Sequence, residues 1–145
     1  MAAPQSFVPP RVRPSRQTRR FTVAQANSAL PLVKRIVTDV VRTNDEALKL
    51  QDAMELTKDS KLQTQLQKDL EYKATRMSAL IGELGGIGVE LKDPAIGLVD
   101  FIGRHQGHDV YLCWKLGEEK IGFWHDLQAG VAGRKPVSVL EETAE

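Results

Sequence analysis

The residues whose types could support chemistry are concentrated in one stretch, GLVDFIGRHQGHDVYLCWKLGEEKIGFWHDL, which spans residues 97–127. It holds both tryptophans, the only cysteine and all three histidines. Histidine titrates near neutral pH and is the commonest metal ligand. His125, Asp126 and Asp100 are therefore candidate ligands for a divalent metal. The two carboxylates could instead act as a general acid and base, provided that their environments differ.

The alternation of apolar and polar residues predicts strands through this stretch. A tight turn at Gln106-Gly107 would place Phe101 opposite Leu112. A second turn at Glu118-Glu119 would place Leu112 opposite His125. The pattern therefore predicts a three-stranded antiparallel β-meander over residues 97–127.

This register assigns the candidate residues to two faces. His125 falls on the apolar face, where a core histidine bonded to a carbonyl is the alternative to a ligand. Asp100 lies opposite Cys113 on the second face, together with Asp126 and Trp124. Two carboxylates and a thiol could bind a metal there, although a half-solvated sheet face explains the same pattern. Trp124 is a candidate interaction residue, covered either by the C-terminal loop or by a partner.

Two further groups of residues have a spacing that is less specific for a binding site. The glycine-containing loop at residues 129–135 could hold an anion with its amides and Arg134, or Arg134 could pair with a carboxylate such as Asp126. His105 and His108 have a loose metal-ligand spacing, but they flank the predicted turn, which favours a surface loop. No cofactor is predicted beyond the candidate divalent metal.

Composition sets the class of protein. The chain has 145 residues, of which 41% are hydrophobic and 27% charged, as in ordinary globular proteins. A single cysteine excludes an internal disulfide and predicts a cytoplasmic protein. No run approaches the roughly 20 apolar residues of a membrane helix, so no membrane association is expected.

Charge is distributed unevenly. Residues 1–38 contain seven basic and no acidic residues, whereas the remainder is net acidic. Residues 1–20 hold four prolines and five arginines, which predicts a disordered tail. Such a tail could associate with nucleic acid, or it could simply be a solvated extension.

The helical region precedes the meander. Thr22 and Gln25 form a capping-box pattern. Pro31 predicts a break after a short first helix, and a long helix is then expected over residues 31–56. A second helix should have Ser60 as its N-cap, with Gln63 as the capping-box partner, and end at Gly85-Gly86. Residues 88–91 form a candidate edge strand.

The predicted architecture is therefore α+β: a long antiparallel helical hairpin, residues 31–85, packed on the three-stranded meander. Residues 21–137 are expected to form one domain, and residues 138–145 a C-terminal tail. Each helix of about 25 residues would be longer than a three-stranded sheet is wide. One end of the hairpin would therefore project beyond the sheet. We hypothesise that this end packs on a second copy of the chain and forms a homodimer.

Several segments together resemble a known family. They are FTVAQANSALP, VELKD, GLVDF, VYLCW, IGFWHDL and AGRKP, in this order between residues 21 and 137. The set resembles a family of small bacterial and archaeal proteins catalogued only as a domain of unknown function. The resemblance implies a helical hairpin with a small sheet and brings no activity. Ile102 stands where that family usually has proline.

Three functional hypotheses follow. The first is a small cytoplasmic binding or structural module that self-associates. The second is a metal- or anion-dependent enzyme that uses Asp100, His125, Asp126 and Arg134. The third is nucleic-acid association through residues 1–20.

Overall fold

The structure is a computed structural model, which describes residues 18–142. Two long helices are followed by a sheet, so the fold is α+β. In chain order the elements are α1 (Val23–Leu56), α2 (Ser60–Ile87), β1 (Val89–Asp93), β2 (Leu98–His105), β3 (His108–Lys115), β4 (Phe123–Asp126), a 3₁₀ turn (Val131–Gly133), β5 (Lys135–Pro136) and a second 3₁₀ turn (Val137–Val139). The predicted disorder of residues 1–17 lies outside the described residues.

Helix α1 begins as the sequence predicts. The Thr22 side chain accepts from the backbone N–H of Gln25, and the Gln25 side chain accepts from that of Thr22. The predicted break at Pro31 is wrong, because α1 continues through it as one helix of 34 residues. Pro31 lies on the exposed side. Burial of Leu30 and Val33 against the sheet holds the helix together although one backbone hydrogen bond is missing.

The N-cap of helix α2 lies one residue before the predicted Ser60, and the helix ends one or two residues after the predicted Gly85-Gly86. Asp59 is the N-cap, and its side chain accepts from the N–H groups of Lys61 and Leu62. The helix runs through Gly85-Gly86 and ends only at Gly88, which has a left-handed φ of 102°. Glycine adopts this conformation at no steric cost, so the helix ends there.

The sheet has five antiparallel strands in the order β1-β2-β3-β4-β5. The prediction of three strands is therefore wrong, because β1 and β5 extend the meander at its two edges. The register between β2 and β3 is as predicted, with Phe101 opposite Leu112. Gln106 and Gly107 form the tight turn, and both have positive φ, 50° and 82°. Primed two-residue turns require that geometry.

The register of β4 differs from the prediction by one residue. Trp124, not His125, lies opposite Leu112, and His125 lies opposite Tyr111. The connection after β3 is longer than a two-residue turn, and the N–H of Ile121 within it donates to Asn27 Oδ1 on α1, 2.8 Å away. A one-residue shift exchanges the two faces of a strand. Trp124 therefore faces the helices, and His125 faces away.

The core lies between the helices and one face of the sheet. Its largest fully buried side chains include Trp114, Trp124 and Phe101 from the sheet and Leu80 and Leu84 from α2. Trp124 was expected on the opposite face; instead it is 2% exposed, and its indole N–H donates to the carbonyl of Pro136 at 3.1 Å. The C-terminal segment thus covers it.

The segment predicted as a C-terminal tail contacts the body as far as it is described. The N–H of Gln106 donates to the carbonyl of Glu141, and the Glu142 side chain accepts from the N–H of Val23. Residues 143–145 lie outside the described part of the chain. In the described chain, no helix has the length and apolar character needed to cross a membrane.

Candidate metal centre

Three ligand-type side chains converge on the sheet face that points away from the helices. Asp100 on β2 lies directly opposite Cys113 on β3, and the register of β4 turns His125 to the same side. Their side chains are almost fully buried: Asp100 is 2%, Cys113 0% and His125 4% exposed. One ligand atom from each lies within 4.8 Å of the other two. Neighbouring strands therefore bring together residues that the chain separates.

The two ring nitrogens of His125 have different partners. Nδ1 lies 2.9 Å from the backbone carbonyl of Asp126, to which it donates. Nε2 lies 3.4 Å from Oδ1 of Asp100. A metal-bound histidine typically donates one ring N–H to a carbonyl or carboxylate and uses the other nitrogen as ligand. The carbonyl of Asp126 thus orients the ring so that Nε2 points into the cluster.

The protonation of His125 reflects this environment. Burial alone would lower its pKa, but polar interactions with Asp100, with Cys113 and with the carbonyl of Asp126 together raise the pKa to about 10. Without a metal, this environment favours the protonated form of His125. Metal binding requires a neutral histidine, so a cation would replace this proton.

Asp100 is incompletely satisfied. Its Oδ1 is buried and forms no well-aligned hydrogen bond; its contact with His125 Nε2, 3.4 Å away, is an ion pair. Buried carboxylate oxygens are nearly always bonded, so each exception calls for an explanation. An ion at the centre of the cluster would satisfy this oxygen.

The arrangement is unlike a nucleophilic triad. A triad places the nucleophile at one histidine nitrogen and the orienting carboxylate at the other. Here a backbone carbonyl occupies Nδ1 of His125, and the Asp100 carboxylate lies at Nε2. Cys113 is fully buried. Because the carbonyl occupies Nδ1, the only ring nitrogen of His125 that Cys113 could contact is Nε2. The geometry fits convergence on a common centre rather than a proton relay.

A cleft of about 470 Å³ opens above the cluster. Asp100 and His125 line it, whereas Cys113, which is fully buried, does not. The other lining residues are Glu90, Leu91, Lys92, Leu98, Tyr111, Leu127, Gln128, Ala129, Gly130 and Val131. The cleft therefore gives a small molecule access to two of the three side chains.

Tyr111 connects the cluster to the rim of the cleft. Its ring centroid lies 5.3 Å from that of His125, and Lys92 Nζ lies 4.5 Å above the tyrosine ring. Burial raises the pKa of Tyr111, although the charge of Lys92 opposes this rise. Lys92 also pairs with Glu90 at 2.9 Å. The rim of the cleft thus carries the ion pair of Lys92 and Glu90 and the neutral phenol of Tyr111.

Arg134 lies on the other side of Cys113. Its Nη2 donates to Glu118 Oε1 at 2.8 Å, and its guanidinium lies 4.3 Å from the centre of the Phe123 ring. Burial alone would lower the pKa of Arg134, but its bond with Glu118 and its interaction with the Cys113 sulfur raise that pKa. Its carboxylate partner is thus Glu118, and anion binding by Arg134 stays a prediction.

The other predicted residues lie outside the cluster. The Asp126 side chain is 52% exposed and lies 3.5 Å from Lys135 Nζ, so Asp126 contributes only its carbonyl. His105 stacks on Trp124, with ring centroids 4.5 Å apart, and contacts the ring of His108. The sequence did predict that Asp100 and Cys113 are opposite each other. What it lacked was the register of β4, which brings His125 beside them.

Comparison with known proteins identifies the family. Residues 19–137 match the model of the family described as uncharacterized conserved protein (DUF2203). Searches of curated proteins and of solved structures each found no match. The chain belongs to this family, whose description names no activity.

Proposed function

We propose that this member of the family binds a divalent transition-metal ion, with zinc the best fit, through Asp100, Cys113 and His125. The observation that carries the proposal is the convergence of three buried ligand types around His125 Nε2, with Nδ1 held by a backbone carbonyl. Zinc combines with thiolate, imidazole and carboxylate ligands in proteins. Magnesium and calcium prefer sites made entirely of oxygen ligands, so they fit less well.

The spacing is close to that of a zinc site. With zinc–ligand distances of about 2.0–2.3 Å, tetrahedral geometry separates the ligand atoms by about 3.3–3.6 Å. Asp100 Oδ1 and His125 Nε2 are 3.4 Å apart. The widest separation in the cluster is at most 4.8 Å, so coordination would require the ligand atoms to move closer by at most about 1 Å.

Three protein ligands leave one tetrahedral position for a water or a small ligand. Asp100 and His125 line the cleft and Cys113 is fully buried, so we infer that the fourth position faces the cleft. We infer that the cleft admits the molecule on which the metal acts. A reducing cytoplasm, as the single cysteine predicts, would keep Cys113 available as a ligand.

Metal content tests this proposal directly. The untagged protein should contain about one equivalent of zinc by mass spectrometry after purification without added chelator. Asp100→Asn and Cys113→Ser should each lose most of it. Asp126→Asn is the matched control, because it removes a neighbouring carboxylate whose side chain is outside the cluster.

Cobalt substitution supplies a readout of which side chains bind the ion. Co²⁺ bound to the wild type should show a near-ultraviolet thiolate-to-cobalt charge-transfer band and the visible bands of a tetrahedral ion. The charge-transfer band should be absent from Cys113→Ser and present in Asp126→Asn. A wild-type protein that takes up neither zinc nor cobalt would disprove the proposal.

We also infer that the chain self-associates, as a second function supported by a separate observation. Between residues 45 and 76, the part of the hairpin on either side of the turn that joins the two helices, no side chain is buried. Leu56 and Tyr72 there are 84% and 69% exposed. Light scattering of the purified protein should give twice the mass of one chain. A single-chain mass at micromolar concentration would contradict this inference.

Nucleic-acid association through residues 1–20 stays a third candidate. Of this segment, residues 18–20 are described, and their arginines contact the body: Arg20 pairs with Asp109, and Arg19 donates to the carbonyl of Ile87. If the segment binds nucleic acid, the binding should weaken steeply with salt and disappear when residues 1–17 are removed.

A further inference from the structure

We propose that two copies pair through their hairpin tips, residues 45–76, with α1 of each copy lying against α2 of the other. This arrangement rests on the self-association proposed above. It specifies which surfaces meet and how the two-fold axis runs. The occupant of the exposed tip is therefore a second copy of this chain.

The tip exposes large apolar side chains beside a groove. Leu62 is 47% exposed, in addition to Leu56 and Tyr72. A groove of about 520 Å³ runs between the two helices and is lined by Glu46, Lys49, Leu50, Asp69, Tyr72 and Lys73. Contiguous exposed apolar surface with a polar rim is typical of interaction sites.

Charge separates the two helices of the tip. Residues 45–56 of α1 contain four acids and one base, whereas residues 60–76 of α2 contain four bases and two acids. Part of this charge is used within the chain, where Lys73 pairs with Glu46 and Lys49 with Asp45. The rest is available for contact with another molecule.

At the distal end of the two helices, residues 52–56 and 60–68, four charged side chains form no ion pair within residues 18–142. They are Asp52 and Glu55 on α1 and Lys61 and Lys68 on α2. All four are exposed. This distal end therefore presents two negative charges on α1 and two positive charges on α2, whereas the unpaired acids of α2, Asp69 and Glu71, lie nearer the sheet.

The direction of the two-fold axis determines which helices face each other in a homodimer. When two identical hairpins stack face to face, a two-fold axis across the helices places α1 on α1 and α2 on α2, which opposes like charges. An axis along the hairpin places α1 on α2 in both halves of an isologous interface. Complementary potentials favour the second arrangement.

One pair of residues is suited to test it. Glu55 lies two residues before the C-cap of α1 at Thr57, and Lys61 lies two residues after the N-cap of α2 at Asp59. The two are therefore level with each other near the end of the hairpin. With the axis along the hairpin, each Glu55 would approach the Lys61 of the other copy.

The experiment exchanges the charges. One variant carries Asp52→Lys and Glu55→Lys, and the other carries Lys61→Glu and Lys68→Glu. Each alone should dimerise at least about tenfold more weakly than the wild type, because like charges then face each other across the interface. An equimolar mixture of the two should form a heterodimer, detected by native mass spectrometry. Arg35→Glu, an exposed reversal on α1 outside the tip, is the control and should dimerise normally.

The outcomes separate the two proposals. A wild type that is a monomer at all concentrations overturns both self-association and the arrangement. A wild-type dimer that neither reversal weakens leaves self-association intact and overturns the arrangement. Variants that are weakened singly but do not pair when mixed also overturn it. Circular dichroism of each variant checks that the hairpin remains helical.

Discussion

Leu112 lies directly opposite Trp124 across strands β3 and β4, and both side chains are buried against the helices. Side chains alternate between the faces of a strand, so this pairing places the next residue, His125, on the other face beside Asp100. A register one residue away would bury Phe123 and remove His125 from the cluster. The chemistry of one face thus depends on packing at the other.

This relationship predicts unequal effects at two adjacent aromatic residues. Trp124→Ala should lower the free energy of unfolding by about 3–5 kcal/mol, because it leaves a cavity in the core. Phe123→Ala should cost about 1 kcal/mol or less, mainly the contact of its ring with Arg134. Urea denaturation followed by circular dichroism measures both. The reverse order of the two effects would show that the β4 register is shifted.

Zinc should stabilise the protein if the proposed site is correct. A ligand that binds only the folded state, at about 100 times its dissociation constant, raises the free energy of unfolding by about 2.7 kcal/mol. We expect the melting temperature of chelator-treated wild type to rise on addition of zinc and not of magnesium.

The matched variants extend the same measurement. Cys113→Ser should lose the zinc-induced rise in melting temperature, and Asp126→Asn should keep it. An equal rise in wild type and Cys113→Ser would show that zinc binds somewhere other than this cluster.

Much of the local structure could be predicted from the sequence because its determinants are local. Thr22 and Gln25 bond each other across one helical turn, and the tight turn at Gln106-Gly107 sets the register of β2 and β3. That register placed Asp100 opposite Cys113, so two of the three members of the cluster were correctly paired.

The rest depends on contacts between distant parts of the chain. The register of β4 follows a connection whose Ile121 bonds Asn27 on α1, and periodicity carries no signal of that bond. Pro31 is tolerated within α1 because its buried neighbours pack on a sheet that comes later in the chain. The two-residue strand β5 is too short to produce a pattern.

The ion pair of Arg20 and Asp109 predicts a pH dependence. Arg20 Nε and Nη2 donate to the two carboxylate oxygens of Asp109 at 2.8 and 3.0 Å, and this bond lowers the pKa of Asp109 below its ordinary 3.8. A lowered folded pKa stabilises the protein above the unfolded value, and the contribution is lost as the pH falls through the folded value.

Asp109→Asn should therefore destabilise the protein at pH 7, and its difference from wild type should shrink below about pH 4. Unfolding in urea at a series of pH values measures this difference. Asp52→Asn, which removes an exposed carboxylate without an ion pair in the described chain, should have little effect at pH 7. A difference for Asp109→Asn that stays constant between about pH 7 and pH 3 would contradict the assignment.

Gly97 is the residue at which added volume should be tolerated least. It has a φ of 70°, and a Cβ there would lie 2.7 Å from Val37 Cγ1 and 2.8 Å from Leu116 Cβ. Gly97→Ala should destabilise the protein by at least about 2 kcal/mol, through backbone strain and overpacking. At Gly82, inside α2, a Cβ would have no neighbouring atom within 4 Å, so Gly82→Ala should stabilise the helix by about 0.5–1 kcal/mol. Thermal unfolding of the two variants compares them, and a Gly97→Ala protein as stable as wild type would show that the turn before β2 does not pack against α1.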